Sequence, residues 1–434
     1  MSRFCRHTSC LAGRMNLSMA QPSLLAVSPF VLLLGAIALA PLFFADWWGK
    51  HYPKVCFGLA AAVVLYYCFR LHASSNVLHT TEEYISFIAL VGSLFVVSGG
   101  IHIRVKGEAT PLSNTLFLTV GALLANLLGT TGASMLLIRP WIRTNKYRIT
   151  AHHVTFFIFI VSNVGGCLTP VGDPPLFLGY LSGVPFWWVA RHGWPIWLTG
   201  VGILLAMFYV VDSRNYARAP KPVREHQTEH ETWHFDGLAN LFFLAVIFVA
   251  VFVDHPFLLR ECLMAAAAVG SYFTTKKPVH EANHFTLHPV KEVAILFIGI
   301  FATMMPALDW LAANASRLAG TSATPFYFGS GTLSSVLDNA PTYLSFLNAS
   351  FGVTGTRDVS LLIAQHPTII LAISVGSVFF GANTYIGNGP NFMVKAIADH
   401  QHVHTPTFMG YILRHTLPFM LPMLLIVWLI FFRG

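Results

Sequence analysis

Charge is what this sequence has least of. Of its 434 residues only 10% are Asp, Glu, Lys or Arg and 55% are hydrophobic, whereas a soluble domain carries about 25% charged residues. So few charged side chains cannot cover a soluble surface of this size, and the mean hydropathy of +0.62 agrees. An ordinary soluble enzyme and a disordered chain are both excluded. Cysteine is sparse too: Cys5, Cys10, Cys56, Cys68, Cys167 and Cys262 form no CxxC pair and no metal spacing. That excludes a disulfide-stapled secreted domain and leaves the thiols as small apolar fillers. No nucleotide-binding P-loop is present, so ATP is not the expected energy source. The net charge of +8 does not call for nucleic acid, because basic residues concentrate in the cytoplasmic loops of membrane proteins. What remains is an all-α, multi-span membrane protein whose first partner is the lipid bilayer.

A helical span needs about 20 mostly apolar residues. Spans are predicted near 28–46, 54–71, 84–101 and 185–211, and again near 237–254, 256–273, 290–308 and 408–432. Four further apolar stretches are interrupted by turn residues. The stretch 112–141 breaks at Gly129-Thr130-Thr131-Gly132, and 152–182 breaks at Thr169-Pro170-Val171-Gly172-Asp173-Pro174-Pro175. In the second half, 325–349 breaks at Asp338-Asn339-Ala340-Pro341-Thr342, and 368–398 breaks between Asn383 and Asn391. Residues 213–236 are the long polar stretch inside the chain.

The two halves lie on each other. Glu83 falls on Glu292 and Leu128-Gly129-Thr130 on Leu337-Asp338-Asn339 at one spacing. Thr169–Pro175 falls on Thr384–Pro390 at a slightly larger one, the extra residues sitting in the polar loop 351–367. Matching interruptions in the same order predict an internal duplication. The expected organisation is a tail (1–22), a first membrane repeat (23–212; hairpin 112–141, broken helix 152–182), a polar linker (213–236) and a second repeat (237–434; hairpin 325–349, broken helix 368–398). Each repeat holds five crossings plus a re-entrant hairpin. Five is odd, so the second repeat is inverted, as in many transporters. Nine of the 26 Lys and Arg fall on the side of the termini and seventeen on the side of the linker. The expected location is therefore the bacterial inner (plasma) membrane with the linker in the cytoplasm. Residues 1–44 resemble a signal peptide, but Pro41 after Ala38-Leu39-Ala40 argues against cleavage there.

The interruptions carry the chemistry. Unwound backbone is tolerated at membrane depth only where protein buries it or it lines a wet cavity. Free amides at helix N-termini attract anions and free carbonyls at C-termini attract cations. Asn and Thr add neutral oxygens that suit Na⁺. An Asp at mid-membrane costs about 2.5–3.5 kcal/mol, and Asp173 and Asp338 each lie beside a break; either could neutralise a cation or carry a proton. Glu82, Glu83 and Glu292 read as interfacial. His226, His230 and His234 in the linker share a helical face that could bind a metal or sense pH, although a solvated loop is the plainer reading. An intramembrane aspartyl protease needs a Gly-x-Gly-Asp loop, and here Pro170 occupies the first Gly position. No enzymatic activity and no bound cofactor are expected.

The sequence from Ser162-Asn163-Val164-Gly165-Gly166 through Pro175 resembles the first-repeat signature of the ion transporter superfamily. Leu337-Asp338-Asn339-Ala340-Pro341-Thr342 and the run from Gly381 to Asn391 resemble its second-repeat counterparts. The resemblance covers nearly the whole chain after about Ser23 and is closest to the branch of sodium:proton antiporters and citrate transporters, related to arsenite permeases and divalent-anion/sodium symporters. It implies a homodimer working as an elevator, with a scaffold of early spans and a moving unit of hairpins, broken helices and last spans. The tips read Gly129-Thr130-Thr131 and Asp338-Asn339-Ala340, not the Ser-Asn-Thr of the sodium-coupled symporters. By this resemblance Thr130, Thr131, Asn163 and Thr169 form the first-repeat site, and Asp338, Asn339, Asn383 and Thr384 the second, with Asp173 and the residue that aligns with it, Asn388, also expected to bind. Thr131, Asn163, Asp338, Asn339 and Asn383 are the expected Na⁺ ligands. The expected function is secondary transport, Na⁺/H⁺ antiport first and Na⁺- or H⁺-coupled movement of citrate or another anion second. The coupling ion is Na⁺, H⁺ or both, and the solute a small ion or carboxylate.

Overall fold

A computed structural model describes residues 22–104, 109–218, 234–253, 256, 258–283, 285–314, 322–356 and 358–433. The tail residues 1–21, with Cys5 and Cys10, and linker residues 219–233, with His226 and His230, lie outside them. The described chain is helical apart from one short antiparallel ladder, β1 (His102–Arg104) on β2 (His234–Asp236), in the register His102 to Asp236. Among the described residues, six helices are long and apolar enough to cross a membrane, or up to seven if a bent pair is one span. The chain is a multi-pass membrane protein.

The first helices are α1 (Ser28–Phe43), α2 (Ala45–Leu65) and α3 (Ser74–Gly99). The next, α4 (Pro111–Thr144), spans 34 residues. At about 1.5 Å per residue it would outrun the ~30 Å hydrocarbon core if straight. It is not straight: Gly129 has φ 75° and ψ 154°, a conformation that needs glycine. The chain turns back there, and the two ends of α4 meet, Asn114 and Asn145 exchanging side-chain hydrogen bonds of 2.8 and 3.1 Å. At Gly129 a Cβ would also come 3.2 Å from the Val171 carbonyl oxygen. Gly129→Ala is therefore expected to destabilise the protein by about 1–3 kcal/mol, read as a lowered midpoint in thermal unfolding of the detergent-solubilised chain.

The second interrupted stretch gives α5 (Ala151–Ile160), an irregular segment with one 3₁₀ turn at Val164–Gly166, and α6 (Pro174–Leu181). Pro174 opens α6 because a missing amide costs nothing at a helix start. Helix α7 (Trp188–Arg218) runs six residues past the predicted linker boundary. Asp212 and Asn215 hold it there: Asn215 donates to the Arg148 carbonyl at 3.0 Å, and Asp212 is 1% exposed, ion-pairs with Arg148 and lies 3.0 Å from His153 Nε2.

After β2 come α8 (Asn240–Ala250), α9 (Leu259–Thr274), α10 (Lys277–Ala282) and α11 (His288–Asn314). Helix α8 is shorter than the span predicted at 237–254. Its start is fixed by Gly237, with φ 77°, and by Asn240, which donates to the Gly100 carbonyl at 2.8 Å. The third interrupted stretch is α12 (Ala323–Ser334) and α13 (Asn339–Thr354). Their arms pack closely enough that a Cβ on Gly329 would meet the Phe346 ring at 2.7 Å. Helix α14 (Val359–Gln365), in the loop predicted to be merely polar, bends by 104° into the fourth stretch. That stretch is α15 (Pro367–Phe380), a 3₁₀ turn at Gly381–Asn383, and α16 (Gly389–His400). Helix α17 (Phe408–Phe431) closes the chain, with a π-helical stretch at Ile412–Met420.

Packing sorts these helices into two groups. In one, α11 lies on α1, α2 and α3, and α3 lies on α8 and α9. In the other, α4 packs on α7 and α16, α12 and α13 on α15, α13 on α6, and α17 on α7. Contact between the groups runs through α3 against α4 and α6, and α11 against α13.

Candidate functional site

All four interruptions meet on one carboxylate. Asp173, at the N-terminus of α6, is 1% exposed. Its Oδ1 accepts from the Thr130 hydroxyl at 2.7 Å and from the Asn388 amide at 3.3 Å, and its Oδ2 accepts from the Asn339 amide at 2.5 Å. Thr130 follows the Gly129 turn of α4, Asn339 opens α13, and Asn388 precedes α16. Each interruption thus contributes one side chain. Among the described residues no Lys, Arg or His forms an ion pair with Asp173. An ionised carboxylate so deeply buried is costly without a countercharge. A cation or a proton would neutralise it.

The backbone that holds this junction repeats itself. The Thr169 hydroxyl donates to the Asn126 carbonyl at 2.6 Å and accepts from the Gly172 amide at 3.0 Å. The Thr384 hydroxyl donates to the Ser335 carbonyl at 2.5 Å and accepts from the Gly387 amide at 3.1 Å. Each hydroxyl ties an irregular turn to its own hairpin. Glycines cross in the same two places. A Cβ on Gly172 would lie 2.2 Å from the Gly166 carbonyl oxygen, and one on Gly387 would lie 2.5 Å from the Gly381 carbonyl oxygen. Backbone rests on backbone at both crossings, which only glycine permits.

The other expected residues surround this centre. Asn163 is fully buried; it accepts from Asn388 at 3.1 Å and donates to the Asn391 side chain at 2.7 Å. Asn383 donates to the Ser335 hydroxyl at 2.9 Å. Asp338 turns its carboxylate to its own helix, its Oδ1 accepting from the Ala340 amide at 3.2 Å as an N-cap of α13. Thr131, with Thr130 and with Phe87, Leu90 and Leu94 of α3, lines a cavity of ≈ 20 Å³ between the first hairpin tip and the other helix group. Of the expected Na⁺ ligands, then, Asn339 touches Asp173, Asn163 reaches it through Asn388, Asp338 caps its own helix, Asn383 is bonded to Ser335, and Thr131 lines the cavity at the hairpin tip.

Two buried oxygens near the junction have no hydrogen-bond partner among the described residues: Asn339 Oδ1 and Asn383 Oδ1. Buried acceptors are nearly always paired, and both belong to interruptions of the second half. Carboxylate and amide oxygens are hard donors of the kind that suit an alkali cation, and Asn339 is the one of the two that touches Asp173. No group of three or more His, Cys, Asp or Glu able to hold a metal occurs among the described residues.

Sequence reasoning passed over Asn126, Ser162, Ser335 and Asn391, which brace the site. Asn126 donates to the Gly165 carbonyl at 2.7 Å and accepts from the Leu168 amide at 3.0 Å. Asn391 donates to the Gly381 and Thr384 carbonyls at 2.8 and 2.9 Å. For Asn126 and Asn391 the available signal was an amide side chain within a turn of a break; Ser162 and Ser335 carried none.

The chain matches, over residues 19–432, the model of a family described as "Putative citrate transport". It is also 26% identical over 318 residues to the "46 kDa membrane protein" of Mycobacterium leprae (strain TN), an alignment that covers 68% of this chain and 71% of that protein.

Proposed function

The chain belongs to that citrate transport family and is a membrane transporter, and from this premise we propose that it is a secondary transporter coupled to Na⁺ or H⁺ at Asp173. The observation that carries the proposal is the buried carboxylate that one interruption supplies and to which the other three donate. A cation or proton there neutralises it, and its arrival or departure changes what four separate segments hold in common. Na⁺/H⁺ antiport fits the donor set best: Asp173 takes either a proton or Na⁺, with Asn339 and Asn383 supplying neutral oxygens to the ion. A second reading, H⁺- or Na⁺-coupled movement of citrate or a similar anion, is favoured by the family match and by the helix N-termini at the breaks, where free amides suit carboxylates.

The repeated threonine bonds and glycine crossings support an inverted duplication. The two packing groups support an elevator in which α1, α2, α3, α8, α9 and α11 are the scaffold of a homodimer and the rest moves with the solute. We place the protein in a bacterial inner membrane with its linker in the cytoplasm.

Proteoliposomes loaded with a pH-sensitive dye test the two readings. Antiport predicts that an inward Na⁺ pulse expels protons; a pulse that moves none overturns it. Labelled citrate uptake that depends on the imposed ion gradient would establish the second reading, and uptake absent under every gradient would remove it.

A further inference from the structure

Away from Asp173, two histidines meet inside the moving group. His152, in the first turn of α5, and His415, in the π-helical stretch of α17, have ring centroids 4.9 Å apart at 65°. His415 is 4% exposed. The Nδ1 of each ring is buried with no hydrogen-bond partner among the described residues. Phe419 packs on both rings, at 6.1 and 6.5 Å. Two orphaned imidazole nitrogens in one apolar pocket are unusual, because a buried polar atom without a partner costs about 1–3 kcal/mol. The π-helical stretch sets the angular position of His415 on α17, and such distortions concentrate at functional positions.

The pair is connected to the transport machinery. Thr416, next to His415, donates to the Asn383 carbonyl at 2.8 Å, and Tyr411, one turn earlier, donates to the Ala382 carbonyl at 2.8 Å. Asn383, in the turn before Asn388, carries a buried side-chain oxygen without a hydrogen-bond partner among the described residues. On the other side, His153 follows His152 in sequence and is held by Asp212 at 3.0 Å.

We propose that His152 and His415 are a second proton-binding site, one proton held between two imidazoles, that fastens α17 to α5 and through Thr416 sets the position of Asn383. A centroid separation of 4.9 Å allows ring rotation to bring one nitrogen of each ring within the ~2.7–3.2 Å reach of a hydrogen bond. A proton satisfies both orphaned rings, one as donor and one as acceptor. A divalent metal does not fit, because two neutral ligands with no carboxylate beside them neither neutralise nor enclose it. The charged and titratable groups around the pair are Arg414 and Tyr411 on α17, His153 on α5, and Asp212 on α7 with its partner Arg148. On α16, Lys395 is occupied by Asp399 and the Tyr385 ring.

The proposal rests on the transporter reading only where flux is measured, so the test uses two readouts on the full chain in proteoliposomes. Infrared difference spectra are recorded between about pH 3 and 8, a range reaching well below the usual histidine window. The wild type is expected to give the broad N–H···N absorption of a shared imidazole proton at low pH, and His152→Gln and His415→Gln each to lose it. His152→Gln, at the less buried partner, is the variant least prone to misfold. A band absent from the wild type, or one that survives either substitution, overturns the pair. In flux assays against pH both variants are expected to move the midpoint by at least about one unit, with maximal flux kept. Unmoved midpoints in both overturn the link to Asn383. A wild type with the band but no flux under any gradient leaves the proton site standing and removes the transporter reading.

Discussion

Asp173→Asn is expected to abolish coupled flux while leaving the protein folded. The substitution removes the charge but not the shape. The new amide keeps an oxygen for Thr130 and Asn388, and its Nδ2 meets Asn339, whose side-chain oxygen is unpartnered and can accept once that amide turns over. Losing a desolvated charge contact costs about 2–5 kcal/mol, and each ~1.4 kcal/mol is tenfold in affinity. Cation affinity should therefore fall by at least about 30-fold. Flux in proteoliposomes and thermal unfolding of the same preparation separate loss of coupling from loss of fold; wild-type flux in the variant would remove Asp173 from the mechanism. Asp338→Asn is the informative comparison. It keeps the oxygen that caps α13 and is expected to transport, so a silent Asp338→Asn would give that second acid a share in carrying the ion.

The largest expected loss of stability comes from Asp212→Ala. Asp212 and Arg148 are 1% and 6% exposed. Arg148 Nη2 donates to Asp212 Oδ2 at 2.9 Å, its Nη1 binds the other carboxylate oxygen, and its Nε donates to the Ala109 carbonyl at 3.1 Å. Asn114 adds a donor to the carboxylate at 2.9 Å and His153 another at 3.0 Å. Removing Asp212 leaves an unpaired guanidinium inside the protein, which costs about 3–5 kcal/mol. The melting temperature should drop accordingly, while Arg148→Met with Asp212→Leu, which removes both charges, should recover most of it because an apolar pair of similar volume is often tolerated. A single variant as stable as wild type would contradict the burial of this cluster.

The hairpins and broken helices could be read from the sequence because apolar runs too long for one crossing, cut by Gly, Pro, Asn and Asp, have few other folded forms in a bilayer. The acid at the junction could not be read so directly, since Asp173 and Asp338 each stand beside a break. The comparison of the halves held the distinction. Asp338 aligns with Gly129, where the first hairpin has a bare turn, whereas Asp173 aligns with Asn388, and Thr130 with Asn339. The four aligned positions with inward side chains are the four that meet. The Arg148–Asp212 cluster left no such trace, because its members are far apart in the chain and none sits at an interruption. The extension of α7 to Arg218 was hidden for the same reason.

The glycine crossings have a further consequence. Where Gly166 meets Gly172 and Gly381 meets Gly387, main chain is wedged against main chain with no side chain between that could change rotamer. Neither turn can widen without dismantling the contact that shapes it. The turns that frame Asp173 are therefore stiff, and for the proposed ion any discrimination by radius would be set by peptide geometry more than by the choice of amino acid lining the cup.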